Sequence, residues 1–249
     1  MGLLDFIFDK DKAQVKQVDR LRKKLINIWV QSPDRNYAAE QLRDIGTPEA
    51  LTALLGRFKV NVKNSTYDNE EKLYIYDMFV LRGAEVIEIV KAFIRNEEVQ
   101  VNWPMKILDD LLPSDQMAEF IEELLASMSV DYERDPEKKE QMILRAGRFS
   151  DFEQVAQQVA RFTVDDNENI RFLAVSQVIQ QDHPWAIEAL RNNLHLEDSG
   201  RILRIVCDHL IAKGEVGYVG DADDEIRMRL VERLPREYFI DDENNLHRK

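Results

Sequence analysis

The feature that most limits what this chain can fold into is a helix-opening turn that returns at a nearly fixed interval. Ile45-Gly46-Thr47-Pro48 opens a segment whose apolar residues fall at Ala50, Leu51, Leu54, Leu55 and Phe58. That i, i+1, i+4, i+5, i+8 spacing is the stripe of an amphipathic helix. Pro48 suits the first helical turn, where a missing N–H costs nothing, and Thr47 suits the N-cap. The same shape returns at Leu81-Arg82-Gly83, Leu112-Pro113-Ser114, Arg148-Phe149-Ser150-Asp151 and His183-Pro184. Pro48 and Pro184 stand 136 residues apart, four periods averaging 34.

Each of these segments follows another amphipathic stretch: 13–30 with 37–44, then 70–81, 103–112, 137–146 and 169–180, while 200–212 starts a sixth unit. A helix pair of this size cannot bury its stripe alone, whereas stacked neighbours share a continuous core. The pattern predicts an all-α fold, a right-handed α-solenoid (an α-α superhelix) of about five to six antiparallel helix pairs. Residues 1–12, with Leu3, Leu4, Phe6, Ile7 and Phe8, read as an N-terminal cap segment, with an exposed docking element as the alternative. Residues 13–213 form the repeat array, and 214–249 form a C-terminal cap helix and polar tail. Gly214, Gly217 and Gly220 break helicity, 221–234 reads as the last helix, Pro235 ends it, and 241–249 is expected to fray. The polar link 61–69 reads as a mobile loop, and the charged stretch 129–140 as an exposed loop running into a solvated helix start.

Composition supports this and narrows the function. The 249 residues hold only 9 Gly and 7 Pro, few for a β-rich protein, and 33% are charged, as a helical array with much surface requires. The net charge of -13 repels phosphate backbones, so nucleic acid and anionic membranes are not expected partners. No apolar run approaches the ~20 residues that span a bilayer, and Met1-Gly2-Leu3-Leu4-Asp5-Phe6 lacks the basic region of a signal peptide. The expected location is the cytoplasm. A single cysteine, Cys207, excludes an intramolecular disulfide framework.

Tyr37–Phe58 resembles a HEAT-like repeat of the phycobilisome-lyase type: Ala38, Ala39 and Leu42 on a first helix, the Ile45–Pro48 turn, then Glu49-Ala50-Leu51 and Leu54-Leu55 on a second. A second match, Asp166-Asn167-Glu168-Asn169-Ile170-Arg171-Phe172-Leu173-Ala174, is similar to the family's Asp…Val-Arg…Ala signature. The resemblance spans roughly 13–213 and weakens in the third and fourth repeats, which lack the Gly-Thr-Pro turn. It implies that Asp166 and Arg171 join an inter-repeat polar ladder, with Arg201 or Arg204 as the next rung. The family includes scaffolds, bilin lyases and DNA-alkylation glycosylases, so the resemblance implies a fold without choosing among them.

No residue constellation argues for catalysis, a cofactor or a metal. His195, His209 and Cys207 are the nearest to a ligand set, but positions 207 and 209 diverge by about 200° on a helix. Cys207 sits among Ile202, Leu203, Ile205, Val206 and Leu210 and reads as a small buried hydrophobe. Adjacent acids such as Asp109-Asp110 and Asp165-Asp166 point about 100° apart, so they are not dyads. Trp29, Trp103 and Trp185 read as packing or turn anchors. What remains is the polar face of the second helices. Its outward residues include Glu49, Thr52, Arg57, Glu88, Lys91, Arg95, Glu119, Gln157, Arg161, Glu188 and Arg191. We expect a non-enzymatic scaffold or adaptor, with a protein or peptide partner held by Arg57, Glu88, Lys91, Arg95, Glu119, Gln157, Arg161, Glu188 and Arg191. A bilin lyase, isomerase or chaperone-like subunit is the alternative that the resemblance implies, and a repair glycosylase a remoter one that the charge opposes.

Overall fold

A computed structural model describes residues 3–97, 100–215, 224–243 and 245–249, with side chains described from residue 12 in the first segment and from 227 in the third. The apolar cluster expected at Leu3–Phe8 falls on side chains outside the described residues, as do Gly217 and Gly220. The fold is all-helical apart from one short hairpin, and the chain divides into two compact units, Met1–Pro113 and Ser114–Lys249. No helix among the described residues is long and apolar enough to cross a membrane.

The first unit holds α1 (Leu3–Leu25), α2 (Ser32–Ile45), α3 (Pro48–Leu55), α4 (Ser65–Arg82), α5 (Ile87–Asn96) and α6 (Asn102–Leu111). Helix α2 packs on α4 and α4 on α6, while α1 packs on α3 and α3 on α5, so two helical layers face each other. The turn between α2 and α3 is built as its residues dictate. Gly46 takes φ 66°, a left-handed cap that donates its N–H to Leu42, and the Thr47 hydroxyl accepts from the Ala50 N–H at 3.3 Å. Ala38, Ala39, Leu42, Ala50, Leu54 and Leu55 are all buried, which is the predicted stripe.

The same unit encloses a run of charged side chains. Arg35 and Arg57 both reach Glu71, with Arg35 Nη2 at 2.6 Å from Oε1 and Arg57 Nε at 3.0 Å from Oε2. Arg57 also donates to Asp68 at 2.8 Å, and Lys72 pairs with Asp68 at 2.7 Å. Buried charges persist only when paired in this way. Burial pushes the Glu71 carboxyl up, but bonds from Arg35, Ser32 and Arg57 outweigh it and hold it below the usual glutamate range. Asp68 behaves alike, with Lys72, the Val62 N–H and Arg57 overcoming its burial. The 61–69 stretch is accordingly not one long loop. Asn64 caps α4 by accepting from Thr66 and Tyr67, and the helix starts at Ser65.

The second unit holds α7 (Ser114–Ser127), α8 (Glu137–Ala146), α9 (Glu153–Arg161), α10 (Glu168–Val178), α11 (Pro184–Leu196), α12 (Gly200–Ala212) and α13 (Asp224–Arg233). Here α8, α10 and α12 form one layer, and α7, α9, α11 and α13 the other. The charged 129–140 stretch lies inside this unit, and Lys139 from it is buried against Asp165 at 2.8 Å. A second clamp repeats the arrangement. Arg171 on α10 holds Glu197, which follows α11, through two bonds of 2.8 Å. Lys139 and Arg171 are 32 residues apart, as are Asp165 and Glu197. Each acid also accepts a backbone N–H two residues on, Asn167 for Asp165 and Ser199 for Glu197. The tail corrects the expectation of fraying. Tyr238–Ile240 (β1) and Leu246–Arg248 (β2) pair antiparallel, burying Tyr238 and Leu246. Asp241 organises the turn by accepting from the Glu243 and Asn245 N–H groups, and together with His247 these bonds hold its carboxyl down at about 2.

Candidate functional site

The first unit carries an open groove of about 610 Å3 between α1, α3 and α5. Its floor is apolar, from Val15, Val18 and Ile26 on the α1 side to Ala53, Val60 and Phe93 on the other. Its rim is charged. Arg22 pairs with Asp19 at 3.0 Å, and Lys59 with Glu97 at 2.6 Å. Lys23 bonds the second Asp19 oxygen at 2.7 Å, and Lys23 and Arg22 together hold that carboxyl below its usual range. Glu49, on the first turn of α3, has no ion-pair partner among the described residues. Val15 is 64% exposed and Thr52 faces solvent, so the groove opens to solvent along this side.

Two of the groove residues, Glu49 and Thr52, belong to the outward set expected from sequence. The α1 wall was not anticipated, although the spacing of Val15, Val18 and Ile26 carries its stripe. The residues expected to hold a partner fall out differently. Arg57 is fully buried, so it is no surface contact. The α-helix ends at Leu55 and the chain tightens into a 3-10 turn over Gly56–Lys59, which turns residue 57 inward onto Glu71 and Asp68. Glu88 and Arg95 are exposed on α5, while Lys91 is largely covered and stands 3.6 Å from Glu88. The other five lie in the second unit. Glu119 and Glu188 are exposed, and exposed Gln157 donates to Glu153 at 3.0 Å. Arg161 closes the end of α7 by donating to the Leu125, Ala126 and Met128 carbonyls. Arg191 pairs with Glu215. Arg161 and Arg191 therefore do structural work at element ends, in addition to any contact they offer.

The residues expected to join a ladder make the following bonds. Asp166 accepts from the Tyr132 N–H at 2.8 Å, and Arg171 donates to the Asp165 and Asp166 carbonyls as well as to Glu197. Arg201 reaches Glu168 and Asn169, and Arg204 reaches Glu237 at 2.5 Å. Within the second unit the charges buried deepest are those on Lys139, Asp165 and Glu197.

Cys207 is fully buried, and burial, helped by the nearby Asp208 and Glu237, pushes its thiol up to about 12. Burial lowers the His195 and His209 rings, so both hold a proton more weakly than a free imidazole. Among the described residues no group of three or more His, Cys, Asp or Glu is placed to hold a metal ion. The tryptophans divide. Trp103 stacks on Phe58 and takes Lys106 over its ring, and Trp185 donates to Glu153, but Trp29 is 88% exposed in the turn after α1.

No protein-family model matches this chain, and no curated protein or solved structure does either.

Proposed function

We propose that this chain is a non-enzymatic adaptor of HEAT-like helix pairs, arranged as an α-solenoid, which binds a protein partner on the layer that carries α1, α3 and α5. The observation that carries the reading is the groove itself: an apolar floor, a charged rim and a mouth too open to enclose a small metabolite. The repeated clamps, Lys139–Asp165 and Arg171–Glu197, support the solenoid half of the proposal, because an element that returns every 32 residues is how a stacked array keeps its register.

The test is affinity capture with the wild type and with two groove-filling variants, Val15→Arg and Thr52→Arg. Both residues are exposed, so neither change disturbs the core. A protein held by the wild type and lost by both folded variants supports the adaptor. A partner retained equally by all three places binding elsewhere and removes the groove from the account.

A further inference from the structure

The lining of the groove also specifies what lies in it, given the adaptor reading on which this inference rests. An extended peptide brings unpaired N–H and C=O groups and needs partners for them, either a sheet edge or a row of amide side chains. The groove offers neither. Among the described residues no Asn or Gln lines it, and Thr52 is the one uncharged polar side chain there. Its walls are helices whose backbone is bonded along their own axes, and at Val60, where the helix ends, the carbonyl already accepts from Arg57 at 2.7 Å. An occupant laid on this floor must therefore satisfy its own backbone, which a helix does.

The rim supplies the sign. Among the described residues the two cations that line it are already taken, Arg22 by Asp19 and Lys59 by Glu97, and Asp19 is further held by Lys23. The carboxylate left to answer a partner is Glu49, at the edge of the apolar floor, in a chain whose net charge is -13. The unpaired Glu49 and the net charge of the chain thus favour the same partner charge. We infer that the groove binds a basic amphipathic helix of a protein partner, its apolar stripe on Val15, Val18 and Phe93 and a Lys or Arg beside Glu49.

The probe is a labelled amphipathic peptide of about 18 residues, with a leucine stripe and lysine flanks, compared with the same stripe flanked by glutamates. Binding is read by fluorescence anisotropy and peptide helicity by circular dichroism. The lysine peptide should bind the wild type and gain helicity as it does. Glu49→Lys should weaken it by about tenfold and strengthen the glutamate peptide by a comparable factor. Thr52→Arg should abolish binding of both. Equal affinity for the two peptides, or no response to Glu49→Lys while Thr52→Arg still blocks, overturns the basic-helix inference and leaves the adaptor reading standing. Binding without any gain in helicity does the same. If neither peptide binds in a manner sensitive to Thr52, the groove reading fails with it. Dimerisation of the chain that Val15→Arg abolishes would assign the groove to a second copy instead.

Discussion

Arg171 grips both carboxylate oxygens of Glu197, Nε on Oε2 and Nη2 on Oε1, each at 2.8 Å. Glu197 is meanwhile held by Asn193 at 3.1 Å and by the Ser199 N–H at 2.9 Å. Burial raises its carboxyl, and these bonds more than reverse that, leaving it below the ordinary range. Replacing Arg171 with Met would strand a buried anion. We expect a loss of ~3–5 kcal/mol, the usual cost of breaking such a pair from one side. Urea denaturation of Arg171→Met against the wild type measures it, and a loss under ~1 kcal/mol would mean water reaches Glu197.

Arg57 separates a structural role from a surface one. Its guanidinium joins Glu71, Asp68 and the Val60 carbonyl inside the first unit. Arg57→Ala should cost ~3–5 kcal/mol. Glu88→Ala, on the exposed face of α5, should stay within about 0.5 kcal/mol of wild type. Paired thermal melts decide between them, and similar melting temperatures for the two variants would refute the assignment.

Acid should act in two steps. His195 and His209 titrate below the unfolded value in the native fold, because burial disfavours their charged forms. The unfolded chain takes those protons first, so stability begins to fall as pH drops below about 6.5. Glu71, Asp68 and Glu197 are also lowered in the fold. Their contribution is whole above about pH 4.5 and is lost as pH falls through their folded values. A double variant, His195→Gln with His209→Gln, should keep the lower step and lose the upper one in a melting series from pH 8 to 3.

Cys207 should be inert in the native state. Its thiol is buried and pushed up to about 12, so little thiolate forms at neutral pH. A thiol-reactive dye should label it at the rate of unfolding and fully only in denaturant. Rapid stoichiometric labelling of the native protein would contradict the burial of α12.

Asp241 should control the C-terminal hairpin. Its carboxylate gathers the Glu243 and Asn245 amides and the His247 ring. Asp241→Ala should speed hydrogen exchange at the Asn245 amide and at Asp241, whose N–H donates to the Asn245 carbonyl at 3.0 Å, without lowering the melting temperature of the helical units. Unchanged exchange at both amides would show that Tyr238 and Leu246 hold the hairpin unaided.

Much of the helical plan was legible from sequence because turn chemistry and stripe agree there. Thr47-Pro48 marks the start of α3, His183-Pro184 that of α11, and Glu137–Ala146 and Gly200–Ala212 are helices with those ends. Arg57 was misplaced because extrapolating 3.6 residues per turn past Leu55 fails once the chain tightens to a 3-10 turn. The hairpin was missed because three-residue strands show no alternation to count; the Tyr238-Phe239-Ile240 run before an Asp-rich turn was the available signal. The groove was half visible. Glu49 and Thr52 followed from the α3 stripe, whereas the α1 wall depends on which helices touch, and periodicity within one helix carries no information about that.

The matched spacing of the two clamps has a consequence for changes in length. Removing residues 140–171 would put Lys139 where Arg171 now stands, facing Glu197, and would remove Asp165 together with its place. No buried charge would be widowed by that excision, whereas a deletion that took Asp165 and kept Arg171 on Glu197 would strand Lys139. For the buried charges of the second unit, 32 residues is thus the step by which this stretch of chain can be shortened with a cation still facing Glu197.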